Sequence, residues 1–375
     1  MSNIDSNIDE QLELCISPKT RKSFFLFAGA GSGKTHSLVI LLNKIREKWE
    51  KQFVAERRHV AVITYTNAAT NEILNRLDYS PLFHISTIHS FVWDVIKPYQ
   101  VDIKHLYCIN KQKEIDELIA KQEKAKNKAT KTYLTNEEKL QKNREQIEKA
   151  KTIKRFIYSP NGNNLEYNSL SHADVIKISA QMIKENTLLQ KIIAQQYPFL
   201  LIDESQDTKE DLVDAFFKIQ ERFSDIFILG LLGDQKQRIY TDGKENIIGI
   251  IPQTWCKPIK HMNYRCGKRI VQLANKIGLS IDKYAEQQPR ADAPNGYARL
   301  FLVKLNDSII KDEIENSVME QMGNITYDDD WKKTNQDVKI LCLEHLMAAR
   351  KLGFAPLFDT FSKVGKYSMT LLKEH

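Results

Sequence analysis

Short apolar runs and amphipathic helical patterns alternate along the first hundred residues. The runs at 23–28 (SFFLFA) and 59–64 (HVAVIT) have the length and the apolar composition of buried strands. A helical pattern follows each run: the second spans Asn67 to Leu77, and the first places Leu38, Leu41, Leu42, Ile45 and Trp49 on one face. This alternation predicts a parallel sheet that helices cover on both faces.

The strand signal disappears between residues 99 and 187, where Lys, Glu and Gln dominate helix-favouring runs. It returns at 197–204 (YPFLLIDE) and at 225–234 (DIFILGLLGD). We therefore predict one α/β domain, residues 1–98 and 188–252, that a helical insertion at 99–187 interrupts.

A second α/β domain is predicted at 258–375, beyond a linker that Pro252 and Pro258 bracket. It begins with the run IKHMN, and the helix that follows carries on one face Ile270, Leu273, Ala274 and Ile277. Two further strand-like runs come next, YARLFLV at 297–303 and VKILCL at 338–343. The same alternation again predicts a parallel sheet.

Composition and cysteine spacing narrow the class of protein. Hydrophobic residues make up 42% and charged residues 27% of the 375 residues, which is typical of folded domains and argues against disorder. The longest apolar runs, such as Ile226 to Leu232, are far shorter than the roughly 20 residues of a membrane helix. A polar N-terminus and five scattered cysteines argue against a secretory signal, a disulfide scaffold and a zinc site. We expect a cytoplasmic protein with no membrane partner.

Nearly all of the net charge of +7 lies in one stretch, Lys111 to Arg155, which we call the basic segment. It holds 12 Lys and 2 Arg against 7 Glu and 1 Asp, a net charge of +6. Two interpretations are open: a solvated helical surface with interspersed opposite charges, or a basic face that meets nucleic-acid phosphates. Composition alone does not distinguish them.

The segment AGAGSGKT (28–35) directly follows a predicted strand and opens a helix, which is the context of a phosphate-binding loop. The predicted ATP-binding residues are Gly29, Ala30, Gly31, Ser32, Gly33, Lys34 and Thr35. Backbone N–H groups of such a loop surround the β- and γ-phosphates at the helix N-terminus. Lys34 would reach the same phosphates, and Thr35 would offer its hydroxyl to Mg²⁺. The alternative is a glycine-rich turn without a ligand.

Two adjacent carboxylates end the predicted strand in FLLIDESQD (199–207). Successive strand residues point in opposite directions, so the two side chains can take separate roles. Asp203 suits the Mg²⁺ shell, and Glu204 suits polarisation of an attacking water. An acidic helix N-cap explains either carboxylate alone, but it does not explain the pair together with a phosphate loop.

Six motifs resemble, in sequence and in order, those of the UvrD/Rep-type DNA helicases of superfamily 1. They are AGAGSGKT (28–35), TYTNAATNEI (64–73), STIHSF (86–91), LLIDESQDT (200–208), LLGDQKQRIY (231–240) and NYRCGKRIVQLAN (263–275). The resemblance covers about residues 10 to 350 and implies two RecA-like domains with ATP between them. The fold class that follows is α/β: a RecA-like P-loop NTPase domain with a helical insertion, plus a second, incomplete RecA-like domain.

The resemblance also implies roles for single residues in the nucleotide site. Gln237 matches a glutamine that senses the γ-phosphate, and Arg265 matches an arginine that reaches this phosphate from the second domain. These two residues join Glu204 as predicted catalytic residues. Gln11 is similar in position to a glutamine that reads adenine, although its surroundings match poorly.

A second set of residues matches positions that contact single-stranded DNA. Tyr65 and Tyr240 match aromatic positions that stack on a base, and Thr64, Asn67 and His89 fall in segments that line the strand. Base stacking contributes roughly 1–3 kcal/mol per base and tolerates any sequence. The alternatives are a core aromatic for Tyr65 and a structural histidine for His89.

The sequence departs from the family pattern in three places. The Trp-Arg-Gly or Phe-Arg-Gly run that usually follows the Tyr240 segment is absent, so a second stacking aromatic is missing or comes from elsewhere. The segment between STIHSF and LLIDESQDT is unusually rich in Lys and Glu. The last family motifs, which include another arginine finger, do not occur before His375.

The resemblance implies an ATP-dependent DNA translocase or helicase that uses ATP and Mg²⁺ and moves 3′ to 5′ on single-stranded DNA, in DNA repair or anti-phage defence. The alternative is an ATP-binding DNA sensor that partners an effector such as a nuclease. DESQD and GDQKQ disfavour a small-molecule kinase. Because the last motifs are missing, we expect the chain alone to bind ATP and single-stranded DNA, to hydrolyse ATP slowly and to leave a duplex intact.

Overall fold

The computed structural model describes residues 4–125, 127, 128, 130–160, 164, 166–234, 247–278, 286–304, 311–332, 338, 339, 341 and 344–364. The strands are β1 (Phe24–Ala28), β2 (Val60–Thr64), β3 (Phe83–Thr87), β4 (Phe199–Ile202), β5 (Ile228–Gly233), β6 (Ile259–Lys260), β7 (Met262–Asn263) and β8 (Gln288–Pro289). The helices are α1 (Ile8–Cys15), α2 (Lys34–Glu56), α3 (Asn67–Arg76), α4 (Ile88–Ile96), α5 (Gln100–Glu123), α6 (Lys131–Thr152), α7 (His172–Glu185), α8 (Thr187–Gln196), α9 (Glu210–Arg222), α10 (Ile247–Ile250), α11 (Lys268–Gly278), α12 (Lys311–Thr326), α13 (His345–Lys351) and α14 (Ala355–Val364). The chain divides into two compact units, Met1–Gly296 and Tyr297–His375.

A parallel sheet forms the centre of the first unit, with the strand order β3-β2-β4-β5-β1-β6. The carboxyl ends of β1, β5 and β4 therefore lie side by side at one edge. In open α/β sheets, ligands bind beyond this edge where the strand order reverses. The four strands predicted from apolar runs, at 23–28, 59–64, 197–204 and 225–234, are confirmed as β1, β2, β4 and β5.

Both faces of this sheet are buried, which explains why its strands read as unbroken apolar runs. One face contributes Phe25, Phe27, Ala61, Ile63, Leu200, Ile202, Leu229 and Leu231 to a core that includes residues of α4, α7 and α9. The other face contributes Phe24, Leu26, Val60, Val62, Phe199, Leu201, Ile228 and Leu232 to a core with α1 and α2. The predicted inner face of α2 is confirmed, since Leu38, Leu41, Leu42, Ile45 and Trp49 are all buried.

The helical insertion contains two long helices, α5 and α6, that pack against each other. Much of α6 is exposed, and its buried residues are Leu140, Asn143 and Ala150. The next helix, α7, packs against α4 and α9 and buries seven residues. The predicted range 99–187 thus includes a helix that belongs to the core of the sheet domain.

The stretch 259–296, which we predicted to start a second domain, lies in the first compact unit. The structural reason is β6, which pairs with β1 in the central sheet with Ala28 opposite Lys260. The division between the compact units falls after Gly296, and the domain boundary at 258 stays a prediction.

One expectation for the C-terminal part, a strand at 297–303, was wrong. The helix predicted before it is present as α11, and its apolar face is largely exposed, with Leu273 at 42% and Ile277 at 65%, whereas Val271 is buried. The run at 297–303 forms no strand, because no strand among the described residues pairs with its backbone. Much of the run at 338–343 lies outside the described residues.

The second unit contains α12, α13 and α14. Met322, Ala349 and Phe358 are its buried apolar residues among those described. An ion pair between Lys351 and Glu315 joins α13 to α12. In neither unit does a described helix have the length and apolarity to cross a membrane.

Candidate nucleotide-binding site

The predicted phosphate loop (residues 28–35) lies at the carboxyl edge of the sheet, between the end of β1 and the start of α2. Gly31 and Gly33 have φ angles of 73° and 79°, a region that side chains with a Cβ rarely adopt. A Cβ on Gly31 would also lie 2.8 Å from the Cβ of Arg265. The N-terminus of α2 presents unpaired N–H groups at this point, which suits an anion such as phosphate.

Lys34 contacts both of the predicted carboxylates. Its Nζ lies 2.5 Å from Glu204 Oε2 and 3.8 Å from Asp203 Oδ1, and the lysine is 9% exposed. The parallel sheet explains this arrangement, because the ends of β1 and β4 are separated only by β5. The structure therefore brings together the residues predicted for phosphate binding, metal binding and water activation.

Glu204 has an uncommon backbone conformation, and a glutamine side chain holds its carboxylate. Glu204 has φ 50° and ψ 45°, a left-handed conformation that is uncommon for a residue with a Cβ and is often found at functional sites. Gln206 Nε2 donates to Glu204 Oε2 at 2.8 Å, and the N–H of Asp234 donates to Gln206 Oε1 at 3.2 Å. The amide of Gln206 thus ties Glu204 to the end of β5. We did not predict this role, although Gln206 lies within DESQD.

Asp203 is buried and is held by its own backbone. Its N–H donates to the carbonyl of Ile63 on β2, and its Oδ1 accepts the N–H of Glu204 at 3.0 Å. Burial raises the pKa of Asp203 above the ordinary value, and the ammonium of Lys34 opposes this effect. The second carboxylate oxygen accepts no hydrogen bond from the described residues, which leaves it for a hard cation such as Mg²⁺.

The remaining ligands fit Mg²⁺ bound together with a nucleotide. Thr35 is half-buried in the first turn of α2, directly after Lys34. No group of three or more His, Cys, Asp or Glu residues in the described part of the chain could hold a metal ion by itself. Mg²⁺ is often held by one or two carboxylates plus substrate phosphates and water, so Asp203 and Thr35 are a sufficient protein contribution.

The segment Asn263-Tyr264-Arg265 lies directly on the phosphate loop. Asn263 Nδ2 donates to the carbonyl of Ala30 at 3.0 Å, and the N–H of Tyr264 donates to the carbonyl of Gly31 at 2.8 Å. Asn263 Oδ1 accepts the N–H of Arg265 at 3.0 Å. These hydrogen bonds place Arg265 next to the loop, where the side chain is exposed and lines a cavity with Gly31.

The structure does not test the adenine-reading role that the family resemblance implies for Gln11. Gln11 is exposed on α1 and does not line the cavity beside the phosphate loop, which has a volume of about 640 Å³. The N-terminal residues that do line it are Asp5, Ser6 and Asp9. The role of Gln11 stays a prediction.

Three of the predicted DNA-binding residues line one smaller cavity, of about 200 Å³, together with the two carboxylates. Of these three, Tyr65 is 38% exposed and His89 is half-buried. Thr64 is buried, and its hydroxyl lies 2.6 Å from the hydroxyl of Thr70. Asn67 is exposed at the start of α3. Gln237 and Tyr240 lie outside the described residues.

His89 is held in its neutral form by its surroundings. The pKa of His89 is lowered to about 4, chiefly by burial and to a lesser extent by the nearby His172 and Lys209. The rings of His89 and His172 meet edge to face, with centroids 5.1 Å apart. These contacts show that His89 packs within the protein, which leaves its contact with DNA a prediction.

We expect His89 to contribute to the acid sensitivity of the fold. The unfolded chain takes up this proton near pH 6.5 and the folded chain near pH 4, so the contribution is present above pH 6.5 and is lost as the pH falls toward 4. His89→Gln should therefore flatten the decrease in the urea midpoint between these two pH values. His105→Gln, an exposed histidine on α5, is the matched control. An equal decrease in the His89 variant and the wild type would contradict this assignment.

The basic segment contains both buried and exposed lysines. Lys111 is buried, and its Nζ lies 3.3 Å from Glu114 and 3.2 Å from Asp174, so it supports the packing of α5 on α7. Exposed lysines continue along the rest of the segment at positions 113, 121, 124, 128, 131, 139, 149, 151 and 154. The exposed lysines leave both interpretations of the segment open, and the buried Lys111 belongs to neither.

The fold and the site together define a P-loop nucleotide-binding protein of the RecA-like α/β class. The chain matches the UvrD/REP helicase N-terminal domain family over residues 9–241, which is more than half of its length. It therefore belongs to this family of UvrD-like superfamily 1 proteins.

Three relatives illustrate the range of similar proteins. The chain is 28% identical to Gabija protein GajB of Bacillus cereus (strain HuB5-5) over an alignment of 408 residues, gaps included. The alignment covers 91% of this chain and 57% of the relative. It is 24% identical to ATP-dependent DNA helicase Rep of Buchnera aphidicola subsp. Schizaphis graminum (strain Sg), covering 80% and 48%. It is 28% identical to a probable DNA helicase II homolog of Mycoplasma capricolum subsp. capricolum, covering 70% and 40%. The chain spans about half the length of these relatives.

Proposed function

We propose that this chain couples ATP hydrolysis to movement along single-stranded DNA, as a UvrD-type translocase or helicase with 3′ to 5′ polarity. The observation that carries the proposal is the contact of Lys34 with Glu204 and Asp203 at the edge of the sheet. Membership in the UvrD/REP family and the names of two relatives, Rep and DNA helicase II, support it.

In the proposed reaction, Lys34 changes its partner when ATP binds. Without nucleotide, its ammonium is paired with the carboxylate of Glu204. The phosphates of ATP offer more negative charge and draw the ammonium into the phosphate loop. Glu204 then keeps its hydrogen bond with Gln206, which orients it to accept a proton from the attacking water. Mg²⁺, held by Asp203 and Thr35, would neutralise charge on the β- and γ-phosphates.

We propose that bound DNA influences the nucleotide-binding site through the residues at the end of β2. Tyr65 directly follows β2. Two residues earlier, the carbonyl of Ile63 accepts the N–H of Asp203. Tyr65 and both carboxylates also line the cavity of about 200 Å³. A base that stacks on Tyr65 would therefore contact a residue of the cavity that the catalytic carboxylates also line.

We expect the exposed lysines at the end of α5 and in the turn after it to bind DNA phosphates. Changing Lys121, Lys124 and Lys128 to Glu together should flatten the dependence of single-strand affinity on salt. Each lost phosphate contact reduces the log–log slope by about 0.7. Fluorescence anisotropy with labelled oligonucleotides over a range of NaCl concentrations measures this slope.

Two variants serve as comparisons for this experiment. Lys51, Lys191 and Lys218 are exposed on α2, α8 and α9, toward the helix ends that lie opposite the site, so their change to Glu alters net charge equally and should keep the slope. Tyr65→Ala should weaken binding with little effect on the slope, because stacking releases no counterion. A wild-type slope in the triple variant at 121, 124 and 128 would show that these lysines do not bind DNA phosphates and would support the solvated-surface interpretation.

The alternative function is an ATP-binding DNA sensor for a partner effector such as a nuclease. The comparison considered with it is the match with Gabija protein GajB, which covers 91% of this chain. DNA repair and anti-phage defence are both proposed as settings for the translocase or helicase, and anti-phage defence is also a setting for the sensor. Duplexes with a 3′ or a 5′ single-stranded tail test the two functions. ATP-dependent displacement from the 3′-tailed duplex supports the helicase, whereas DNA-stimulated ATP turnover without displacement supports the sensor.

A further inference from the structure

Gln287 is a second amide side chain that lies on the phosphate loop, besides Asn263. It immediately precedes β8 and is half-buried. Its Nε2 donates to the carbonyl of Ala30 at 3.1 Å. A Cβ placed on Gly29 would lie 2.6 Å from this Nε2 and 2.7 Å from Cδ of Gln287, so the amide group packs directly on the glycine. Gln287 therefore contacts the loop at two successive residues, although nothing in the sequence pattern marks it.

Gln287 and Asn263 hold the same loop carbonyl and also hold each other. Asn263 Nδ2 donates to the carbonyl of Ala30 at 3.0 Å and to Gln287 Oε1 at 3.1 Å. An amide NH₂ group has two hydrogens, one for each of these acceptors, and a carbonyl oxygen has two lone pairs, one for each of its two donors. The three groups therefore form a closed set of hydrogen bonds on the phosphate loop.

The other end of the Asn263 amide holds the backbone of Arg265. Asn263 Oδ1 accepts the N–H of Arg265 at 3.0 Å and that of Cys266 at 2.8 Å. Because the amide group is planar, the direction of its NH₂ group also sets the direction of its oxygen. Gln287 Oε1 holds that NH₂ group, so Gln287 acts on the position of Arg265 through Asn263.

The backbone of Gln287 is itself held from two sides. On α11, Asn275 Nδ2 donates to the carbonyl of Gln287 at 2.8 Å, and Asn275 Oδ1 accepts its N–H at 3.1 Å. The N–H of the next residue, Gln288, donates to the carbonyl of His261 at 2.7 Å. These contacts present the side chain of Gln287 to the loop in a fixed direction, as a precisely positioned site requires of its supporting residues.

We propose that Gln287 is a positioning residue for Arg265, which it holds over the phosphate loop through Asn263 in the geometry that ATP turnover needs. This inference rests on the proposed function, since it takes Arg265 as the residue that meets the γ-phosphate. A displacement of about 1 Å caused by a change far from the chemistry can lower a rate by about 100-fold. Binding of ATP depends on the loop and on Lys34, so the loss of Gln287 should change turnover far more than affinity.

Gln287→Met tests the inference, because methionine has a similar length and lacks the amide. We expect ATP turnover to fall by about 10- to 100-fold, whereas the Kd for ATP with Mg²⁺ changes by less than about threefold. Single-turnover phosphate release and calorimetric titration of the full chain measure the two quantities. Gln288→Met, at the exposed neighbouring glutamine, is the matched control and should behave as the wild type. Gln287→Ala is a second variant in case Gln287→Met folds poorly, and thermal unfolding of each variant checks the fold.

The same change in an Arg265→Ala background separates positioning from a structural role. With the arginine removed, Gln287 has nothing left to position, so Gln287→Met should lower the remaining turnover by less than about twofold. An equal loss in both backgrounds, wild-type turnover in both Gln287 variants, or a loss of ATP affinity as large as the loss of turnover overturns the assignment. Failure of the wild type to turn over ATP, or unchanged ATP binding in Lys34→Ala, overturns the proposed function and this inference with it.

Discussion

Lys34→Ala is expected to weaken ATP binding by about 2–5 kcal/mol, which corresponds to roughly 30- to 5,000-fold in Kd. The phosphates lose their ammonium partner, and the carboxylates of Asp203 and Glu204 then face the phosphates with no positive charge between them. Glu204→Gln is expected to keep ATP affinity or to increase it, because Lys34 then loses the nearer of its two anionic partners in the free protein and keeps only Asp203, at 3.8 Å. The same variant should lower turnover by about 10²–10⁴-fold, the usual contribution of a general base.

Calorimetry for affinity and phosphate release for turnover measure both variants. Lys51→Ala, exposed on α2, and Glu221→Gln, near the end of α9, remove the same charges away from the site and should behave as the wild type. Unchanged ATP affinity in Lys34→Ala would contradict the phosphate-loop assignment. Full turnover in Glu204→Gln would remove Glu204 from the reaction and leave the loop assignment intact.

The sequence was most informative where local pattern and burial agree. Strands that are buried on both faces must be apolar throughout, so β1, β2, β4 and β5 could be found as short runs. The phosphate loop could also be found, because Gly31 and Gly33 adopt φ angles that favour glycine and the pattern is local. The contact of Lys34 with Glu204 then follows from parallel strands that end at one edge.

Contacts between segments far apart in the sequence could not be predicted in the same way. β3 was missed as a strand, because only Phe83 and Ile85 of its five residues are buried. The pairing of Lys260 with Ala28 joins residues more than 200 positions apart, and β6 has only two residues. The apolar face of α11 was identified correctly as a face, but a periodic pattern does not specify what covers it.

Small polar side chains in the site escaped prediction for a related reason. Gln206 and Asn263 act through hydrogen bonds to Glu204 and to the loop carbonyl of Ala30, and their residue types alone carry no signal of that role. Only the geometry distinguishes these residues from the polar surface.

Arg265→Ala is expected to lower ATP turnover by about 10³-fold or more while changing ATP affinity by less than about tenfold. Asn263 holds the backbone of Arg265 over the phosphate loop, so the guanidinium can meet charge that develops on the transferred phosphoryl group. Arg265→Lys should recover little of the loss, because an ammonium is a compact point charge without the planar guanidinium fork.

Single-turnover phosphate release with and without single-stranded DNA, together with ATP titration, separates turnover from binding. Lys276→Ala, an exposed cation on α11, is the control that should behave as the wild type. A loss of affinity in Arg265→Ala as large as its loss of turnover would mean that Arg265 binds ground-state ATP, and its assignment to the transition state would then be wrong.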